Sequence, residues 1–297
     1  MPSLKTPFPI DLHSHSTASD GTLTPTELVR HAAAQGVKVL ALTDHDDVDG
    51  LGEAHTAAEE VGIKLILGVE ISVTWNGRTI HIVGLKINPE HAPLKDGLSA
   101  IRAGRHIRAE GMANSLSRAG IHGSLQGAYA YATHGIISRT HFARFLVEQG
   151  HAKDTRSVFK RYLVKGKPGY FSHQWATLQD AVQWITGSGG IAVLAHPGRH
   201  DLGRVNILKL LSEFREVGGS AVEVVTGSHT REQYIEFAKL AHQFGLLASV
   251  GSDYHGPGHN YMEMGHLPDL PATCTPVWQD WPEVVQLSEV AAIVKAA

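Results

Sequence analysis

Six short segments of the chain carry histidine or carboxylate residues with spacings that suit a divalent cation. In Asp11-Leu12-His13-Ser14-His15-Ser16, His13 and His15 lie two apart, so on a strand they face the same side. Then come Thr43-Asp44-His45-Asp46, Gly68-Val69-Glu70, a run carrying His81, Ala195-His196-Pro197 and Gly251-Ser252-Asp253-Tyr254-His255. One His-x-His pair is a weak signal, because incidental histidines produce it. Six such segments are a stronger one. Imidazole and carboxylate without thiolate suit Mn²⁺, Zn²⁺ or Fe²⁺ rather than Ca²⁺ alone. The chain holds 20 histidines and one cysteine in 297 residues. Histidine is the commonest metal ligand, so the question is how many of the 20 do chemistry.

The elements that must position these residues are short apolar runs closed by polar residues: Ile10–Leu12, Val37–Leu42, Lys64–Val69, Ile80–Leu85, Ile191–Ala195, Ala221–Val225 and Leu247–Val250. Most are continuous rather than alternating, which predicts strands buried on both faces of a parallel sheet or barrel. Helical patterns lie between several of them. One begins at Thr24-Pro25-Thr26-Glu27, with Thr24 as N-cap, Pro25 in the first turn and Glu27 closing a capping box. Gly50–Val61, Gly203–Val217 and Thr230–Phe244 read as further helices, and the alternation predicts a (β/α) architecture. Six of the seven runs have a His or carboxylate at or near an end, mostly the C-terminal end, where a (β/α) barrel builds its active site.

The rhythm breaks after about Pro89. Leu98–Ala119, Thr140–Gln149 and Asp154–Leu163 look helical, and alternation resumes with Leu178–Thr186. This predicts a barrel from 8–89 and 174–267, an inserted helical subdomain over 90–173, and a proline-rich tail over 268–297. Between Lys95 and Tyr170 there are 13 Lys+Arg and 4 Asp+Glu, a net of +9 in a chain of −3, which leaves −12 for the rest. A basic cap on an acidic body predicts an anionic substrate and argues against long duplex nucleic acid, which needs many phosphate contacts. Arg102, Arg105 and Arg108 step by three, which reads equally as a solvated helix face. One cysteine excludes an internal disulfide. No run of about 18 apolar residues marks a membrane span. Met1–Ile10 lacks a signal-peptide core, so a cytoplasmic setting is expected.

Taken in order, the strings around His13, His15, Asp20-Gly21, Asp44-His45, Glu70, His81, His196-Pro197 and Asp253-Tyr254-His255 resemble the motifs of the PHP (polymerase and histidinol phosphatase) family. The resemblance implies a distorted (β/α)₇ barrel holding two to three divalent ions, Mn²⁺ first, with Zn²⁺ or Fe²⁺ as alternatives. It implies that His13, His15, Glu70 and Asp253 bind one ion. Glu70, bridging, with His81 and His196 would bind a second, and Asp20, His45 and His255 a third. All nine positions hold competent ligands, although some relatives have His where this chain has Asp20. Three divalent ions against three carboxylates leave a charge of about +3 for hydroxide and a phosphoryl group. A metal lowers the pKa of bound water from about 15.7 to about 7. The implied reaction is in-line attack on phosphorus by a metal-bridging hydroxide, with His196, Asp253 and His255 around the reacting atoms.

The insertion should then select the substrate. Arginine forks match phosphate oxygens. Ile137-Ser138-Arg139-Thr140-His141 stands at a helix start, where backbone N–H groups favour anions. Arg199 follows His196 by three residues, and Lys167 sits in Lys165–Trp175, which mixes cations with aromatics. Surface ion pairs and a packed hinge are the plainer alternatives for these residues. Cap histidines such as His106, His122, His134, His141, His151 and His173 read most simply as surface or packing. The strings around Arg139, Gly169-Tyr170 and Arg199 resemble the bacterial 3′,5′-nucleotide bisphosphate phosphatases. That resemblance implies removal of the 3′-phosphate from adenosine 3′,5′-bisphosphate and 5′→3′ exoribonuclease action on short 5′-phosphorylated RNA. The alternatives are a histidinol-phosphate phosphatase, an amidohydrolase and a metal-loaded nucleotide-binding module. The length leaves no room for polymerase domains.

Overall fold

Each of the seven apolar runs forms a strand in the computed structural model, which describes residues 9–132, 136–200, 202–258 and 262–287. The strands are β1 (Ile10–Asp11), β2 (Val39–Leu42), β3 (Lys64–Trp75), β4 (Arg78–Leu85), β5 (Ile191–Leu194), β6 (Ala221–Thr226) and β7 (Leu247–Gly251). They pair in sequence order in one sheet. The sheet nearly closes into a barrel: Leu12 N donates to Val250 O at 3.1 Å, Asp253 N donates to His13 O at 2.9 Å, and Ser14 bridges Tyr254. The mixed α/β barrel agrees with the expected fold class.

The expectation of parallel strands is corrected at one point. β4 runs antiparallel to both β3 and β5. It is reached by the two-residue turn Asn76-Gly77, with φ of 47° and 69°, the left-handed pair that a tight hairpin demands. β3 also runs on to Trp75, well past Val69, because Ile71, Val73 and Trp75 continue to bury alternate side chains. These departures place the ligands. The reversed β4 brings its N-terminal half, with His81, to the rim where the parallel strands end. Glu70 sits mid-strand because β3 crosses that rim.

The helices around the barrel are α1 (Pro25–Ala34), α2 (Leu51–Val61), α7 (Leu178–Gly187), α8 (Gly203–Glu216) and α9 (Arg231–Phe244). The capping box forms as expected: Glu27 N donates to Thr24 Oγ1 at 3.2 Å and Thr24 N donates to Glu27 Oε2 at 2.8 Å.

Between β4 and α7 lie α3 (Ala92–Arg118), α4 (Ser124–Tyr129), α5 (Arg139–Glu148), α6 (Thr155–Val158) and a π-turn over Phe159–Leu163. α3 begins six residues before the expected start. Its first half buries Leu94, Leu98 and Ile101 in the barrel core. Its second half buries Ala109, Met112 and Leu116 in a separate core with Phe142, Leu146, Val158 and Leu163. Gly97, Gly104 and Gly111 repeat every seventh residue on one face. A Cβ there would lie 2.6, 2.6 and 2.4 Å from the Trp184, His173 and Phe171 rings, so glycine admits the rings to the helix backbone. Residues 282–287 are helical; residues 288–297 of the tail and His134 lie outside the described residues.

Candidate metal and phosphate site

All nine expected ligands meet at one rim of the barrel. Glu70 is central and fully buried. Its Oε1 lies 2.9 Å from both His81 Nδ1 and His196 Nε2. Its Oε2 lies 2.8 Å from His45 Nδ1 and 3.4 Å from the Nε2 atoms of His13 and His15. Asp253 Oδ1 lies 3.3 Å from His15 Nε2 and 3.6 Å from both His13 Nε2 and His255 Nδ1. Asp20 Oδ1 lies 3.2 Å from His255 Nε2.

Several of these contacts are short without being hydrogen bonds. His45 Nδ1, His81 Nδ1 and Glu70 Oε2 are buried and make none. Their lone pairs point into shared space, an arrangement that a bound cation satisfies. Four overlapping groups have ligand atoms close enough to share an ion: His15/Asp20/His45/His255, His13/Glu70/His196, His13/His15/Asp253 and His45/Glu70/His81. The residues are those expected. The groups interlock more closely than three separate sets, with His15 beside the third set and His45 beside Glu70.

Without metal the carboxyls hold the ligating form and the imidazoles divide: against burial, Glu223 raises His13, Glu70 raises His45 and Asp20 raises His255 to about 9, while His15 and His81 are lowered. Burial opposes charge on Glu70, Asp20 and Asp253, yet adjacent imidazoles hold all three carboxyls well below the usual range. Burial, with neighbouring imidazoles, pushes His15 down to about 3. Burial, with His45 and His196 nearby, outweighs Glu70 at His81 and pushes it down to about 4. Ionised carboxylates and neutral imidazoles are the forms that bind metal.

The frame under the ligands is polar and specific. Asp44 accepts from Ser16 N, Ser16 Oγ and Ser19 Oγ at 2.8, 2.7 and 2.6 Å, shaping the loop from His15 to Asp20. Glu223, which the sequence reasoning missed, accepts from His13 Nδ1 at 2.7 Å and from His196 N at 2.6 Å. It thereby turns His13 Nε2 towards the site, the outer-shell arrangement that orients metal-bound histidines. An acid inside the apolar run Ala221–Val225 was the available signal. His196 and Asp253 adopt φ of 26° and 56°, conformations that cost a non-glycine residue about 1–3 kcal/mol and mark a functional constraint.

The helical segment reaches this centre from above. Ser138 caps α5 and its Oγ also donates to Asp20 Oδ2 at 2.8 Å. Arg144 Nη2 donates to Asp20 O at 2.8 Å. On the other side Arg105, buried rather than solvated, donates from Nε to Asp46 Oδ2 at 2.8 Å and from Nη2 to Ser72 Oγ at 3.0 Å. Arg102 donates to Asp46 O at 3.0 Å.

A pocket of about 70 Å³ lies between the ligands and the segment, lined by Asp20, His45, His81, His255, Arg105, Arg108, Arg139 and Arg199 among others. Burial, with Arg199 and Arg105 nearby, pushes Arg139 down to about 10. Burial, with Arg139 and Arg105, also takes Arg108 well below its usual value. Guanidinium stays charged in proteins, so these shifts express positive potential short of an anion. Arg108 and Arg139 lie over the Trp175 and Phe159 rings at 5.2 and 5.4 Å.

Two expected substrate residues behave differently. Arg199 is near the site, but its Nη1 donates to Asp253 Oδ2 at 2.8 Å. Lys167 is exposed in a turn and lines neither this pocket nor its neighbours, whereas Lys165 and Tyr170 border an adjoining groove. His106 pairs with Tyr129, His122 with Ser117, and His173 packs on Trp175, as packing residues would.

Such a centre on a near-closed seven-stranded barrel defines a class. The sequence profile of the PHP domain matches residues 11–163, and the chain belongs to the PHP domain family. A 3′,5′-nucleoside bisphosphate phosphatase of Chromobacterium violaceum is 52% identical over 272 residues, covering 91% of this chain and 95% of the relative. A 5′-3′ exoribonuclease of Haemophilus influenzae is 45% identical over 269 residues, covering 91% and 97%. A solved Chromobacterium violaceum structure, described as an amidohydrolase with bound sulfate and no metal, superposes with a TM-score of 0.89 at 51% identity, covering 94% and 96%.

Proposed function

We propose that this chain is a metal-dependent phosphoesterase that hydrolyses the 3′-phosphate of nucleoside 3′,5′-bisphosphates, adenosine 3′,5′-bisphosphate giving AMP and phosphate. It would also degrade short 5′-phosphorylated RNA from the 5′ end. One observation carries the reading: half-buried Arg108 and Arg139, short of counter-charge, share a pocket with the imidazole–carboxylate cluster. The cluster would face one phosphoryl group and the arginines a second. The names of the two relatives support the same pair of activities.

His13, His15, Asp20, His45, Glu70, His81, His196, Asp253 and His255 would hold two to three ions, Mn²⁺ first. Bound there, divalent ions supply Lewis acidity and bring the pKa of coordinated water towards 7. The chain's own residues do the rest. Arg139 and Arg108 anchor the 5′-phosphate, while the N-terminal turn of α5 places Arg139 beside it. Arg199 fixes Asp253. Phe159 and Trp175 exclude water from the guanidinium faces. We take residues 90–173 as a substrate-selecting cap on a barrel of 8–89 and 174–267, with 268–297 as a tail. Among the described residues no helix is long and apolar enough to cross a membrane, and we place the enzyme in the cytoplasm.

The amidohydrolase description of the solved relative is the second reading, but sulfate bound there is a tetrahedral dianion like phosphate. A histidinol-phosphate phosphatase would need one anion site, not two. Protein loaded with Mn²⁺ should release phosphate from adenosine 3′,5′-bisphosphate and leave AMP and histidinol phosphate almost untouched. Arg139→Ala should raise KM far more than it changes metal content. Faster turnover of histidinol phosphate, or equal turnover of AMP, would overturn the two-phosphate reading.

A further inference from the structure

Two separate grooves adjoin the metal pocket, with no lining residue in common. The first, about 770 Å³, runs between the β3–β4 hairpin and residues 164–175, and shares Arg108, Arg139 and Trp175 with the pocket. The second, about 610 Å³, runs between α5–α6 and the loops after β6 and β7, and shares Thr140, Phe159, Arg199 and His255 with it.

A nucleoside bisphosphate needs the pocket and one groove only. The first groove suits it: the half-buried arginines meet the 5′-phosphate, and the Tyr170 ring on its lining offers a stacking surface for the base. Beyond Arg199, Asp253 and His255 at its inner end, the second groove then has no part in monoester hydrolysis. A phosphodiester is different. Water oxygen bonds to phosphorus, the P–O3′ bond breaks, O3′ takes a proton, and the phosphate remains as the 5′-phosphate of the downstream chain. That chain is attached to phosphorus throughout and cannot share the space of the first nucleoside.

The second groove is built for a phosphate backbone. Arg144 Nε and Ser228 Oγ, both on its lining, are buried atoms without a hydrogen-bond partner. Arg156 is exposed on its α6 wall, and Thr155 and Thr230 add hydroxyls. Cations and hydroxyls of this kind position a nucleic acid backbone without reading its sequence. We propose that this groove binds the nucleotides downstream of the scissile phosphate in single-stranded RNA, an assignment that rests on the function proposed above. Each product chain then carries the 5′-phosphate that the first groove recognises.

The test compares wild type, Arg156→Ala, Arg156→Glu and Arg156→Lys, all loaded with Mn²⁺, on adenosine 3′,5′-bisphosphate and on a 5′-phosphorylated RNA pentamer. Losing one charged phosphate contact should raise KM for the pentamer about tenfold in Arg156→Ala, and more in Arg156→Glu. It should also reduce the slope of log KM against log salt by about 0.7. Kinetics on the bisphosphate should stay within about twofold, and Arg156→Lys should retain most of the pentamer affinity. Equal effects on both substrates, or no effect on the pentamer, would overturn the assignment. So would a wild-type enzyme that hydrolyses the bisphosphate and leaves the pentamer intact. A wild-type enzyme inactive on both would remove the proposed function with it.

Discussion

The hydroxyl of Ser138 donates to Asp20 Oδ2 at 2.8 Å, joining the N-cap of α5 to a candidate ligand 118 residues away. The helical segment therefore does more than cover the barrel. Ser138 and Arg144 hold Asp20, while Arg105 holds Asp46 beside His45, so two members of the Asp20/His45/His255 group depend on it. Ser138→Ala should cost about 1 kcal/mol from the lost cap. It should also weaken the most weakly held ion by roughly 10-fold or more, the usual effect of removing an outer-shell partner. Elemental analysis across a dialysis series would show this, with Ser138→Thr restoring it. Unchanged metal affinity in Ser138→Ala would separate the segment from the metal centre.

Glu223 makes a comparable prediction from below. It accepts from His13 Nδ1 and His196 N, so one carboxylate orients ligands from two strands. Glu223→Gln keeps the shape but puts a competing NH₂ donor against one of these N–H groups. Metal affinity should fall about 10–100-fold. Titration of metal-free protein by calorimetry measures it without reference to turnover. An affinity within about twofold of wild type, well short of that loss, would show that packing alone orients His13.

Asp46 tests the electrostatics of the interface. It is fully buried, accepts from Arg105 and from Ser72 N at 2.7 Å, and has a φ of 52° that asparagine also tolerates. Asp46→Asn therefore spares the backbone and leaves Arg105 buried without its counter-charge. Breaking one partner of a buried pair costs about 3–5 kcal/mol. Urea unfolding should show a loss of that order, and Asp46→Asn paired with Arg105→Met should recover part of it. A single variant as stable as wild type would mean that water reaches Arg105.

The strands and eight of the nine candidate ligands were legible because both are local signals, whereas Asp20, in the loop after β1, came only with the family resemblance. An apolar run is a strand wherever it packs, and a ligand beside its end inherits the position. What escaped depended on partners distant in sequence. The step of three in Arg102, Arg105 and Arg108 looks like a solvated face until Asp46, 59 residues from Arg105, occupies it. The reversed β4 was written in Asn76-Gly77, but the continuous apolar pattern of β3 spoke for a parallel sheet. α4 was hidden by its six residues, and Gly127 within it reads as a breaker although it admits the Phe145 ring. Glu223 was visible as an acid in an apolar strand. Only the fold shows that it faces His13 and His196.

Acid should destabilise the metal-free protein through two histidines outside the ligand set. His141 Nδ1 accepts from Ser138 N at 3.2 Å, and His229 Nε2 accepts from Gly198 N at 2.9 Å. Burial pushes both imidazoles down to about 4. Between the ordinary value near 6.5 and about 4 the unfolded chain binds protons that the folded chain refuses. Stability contributed above pH 6.5 is therefore lost as pH falls through that window, by about 2 kcal/mol per group at pH 5. In His229→Gln the amide oxygen can still accept from Gly198, but nothing titrates. Urea midpoints at pH 7 and pH 5 should separate by less in that variant than in wild type. Equal separations would mean that protonated His229 keeps its place in the fold.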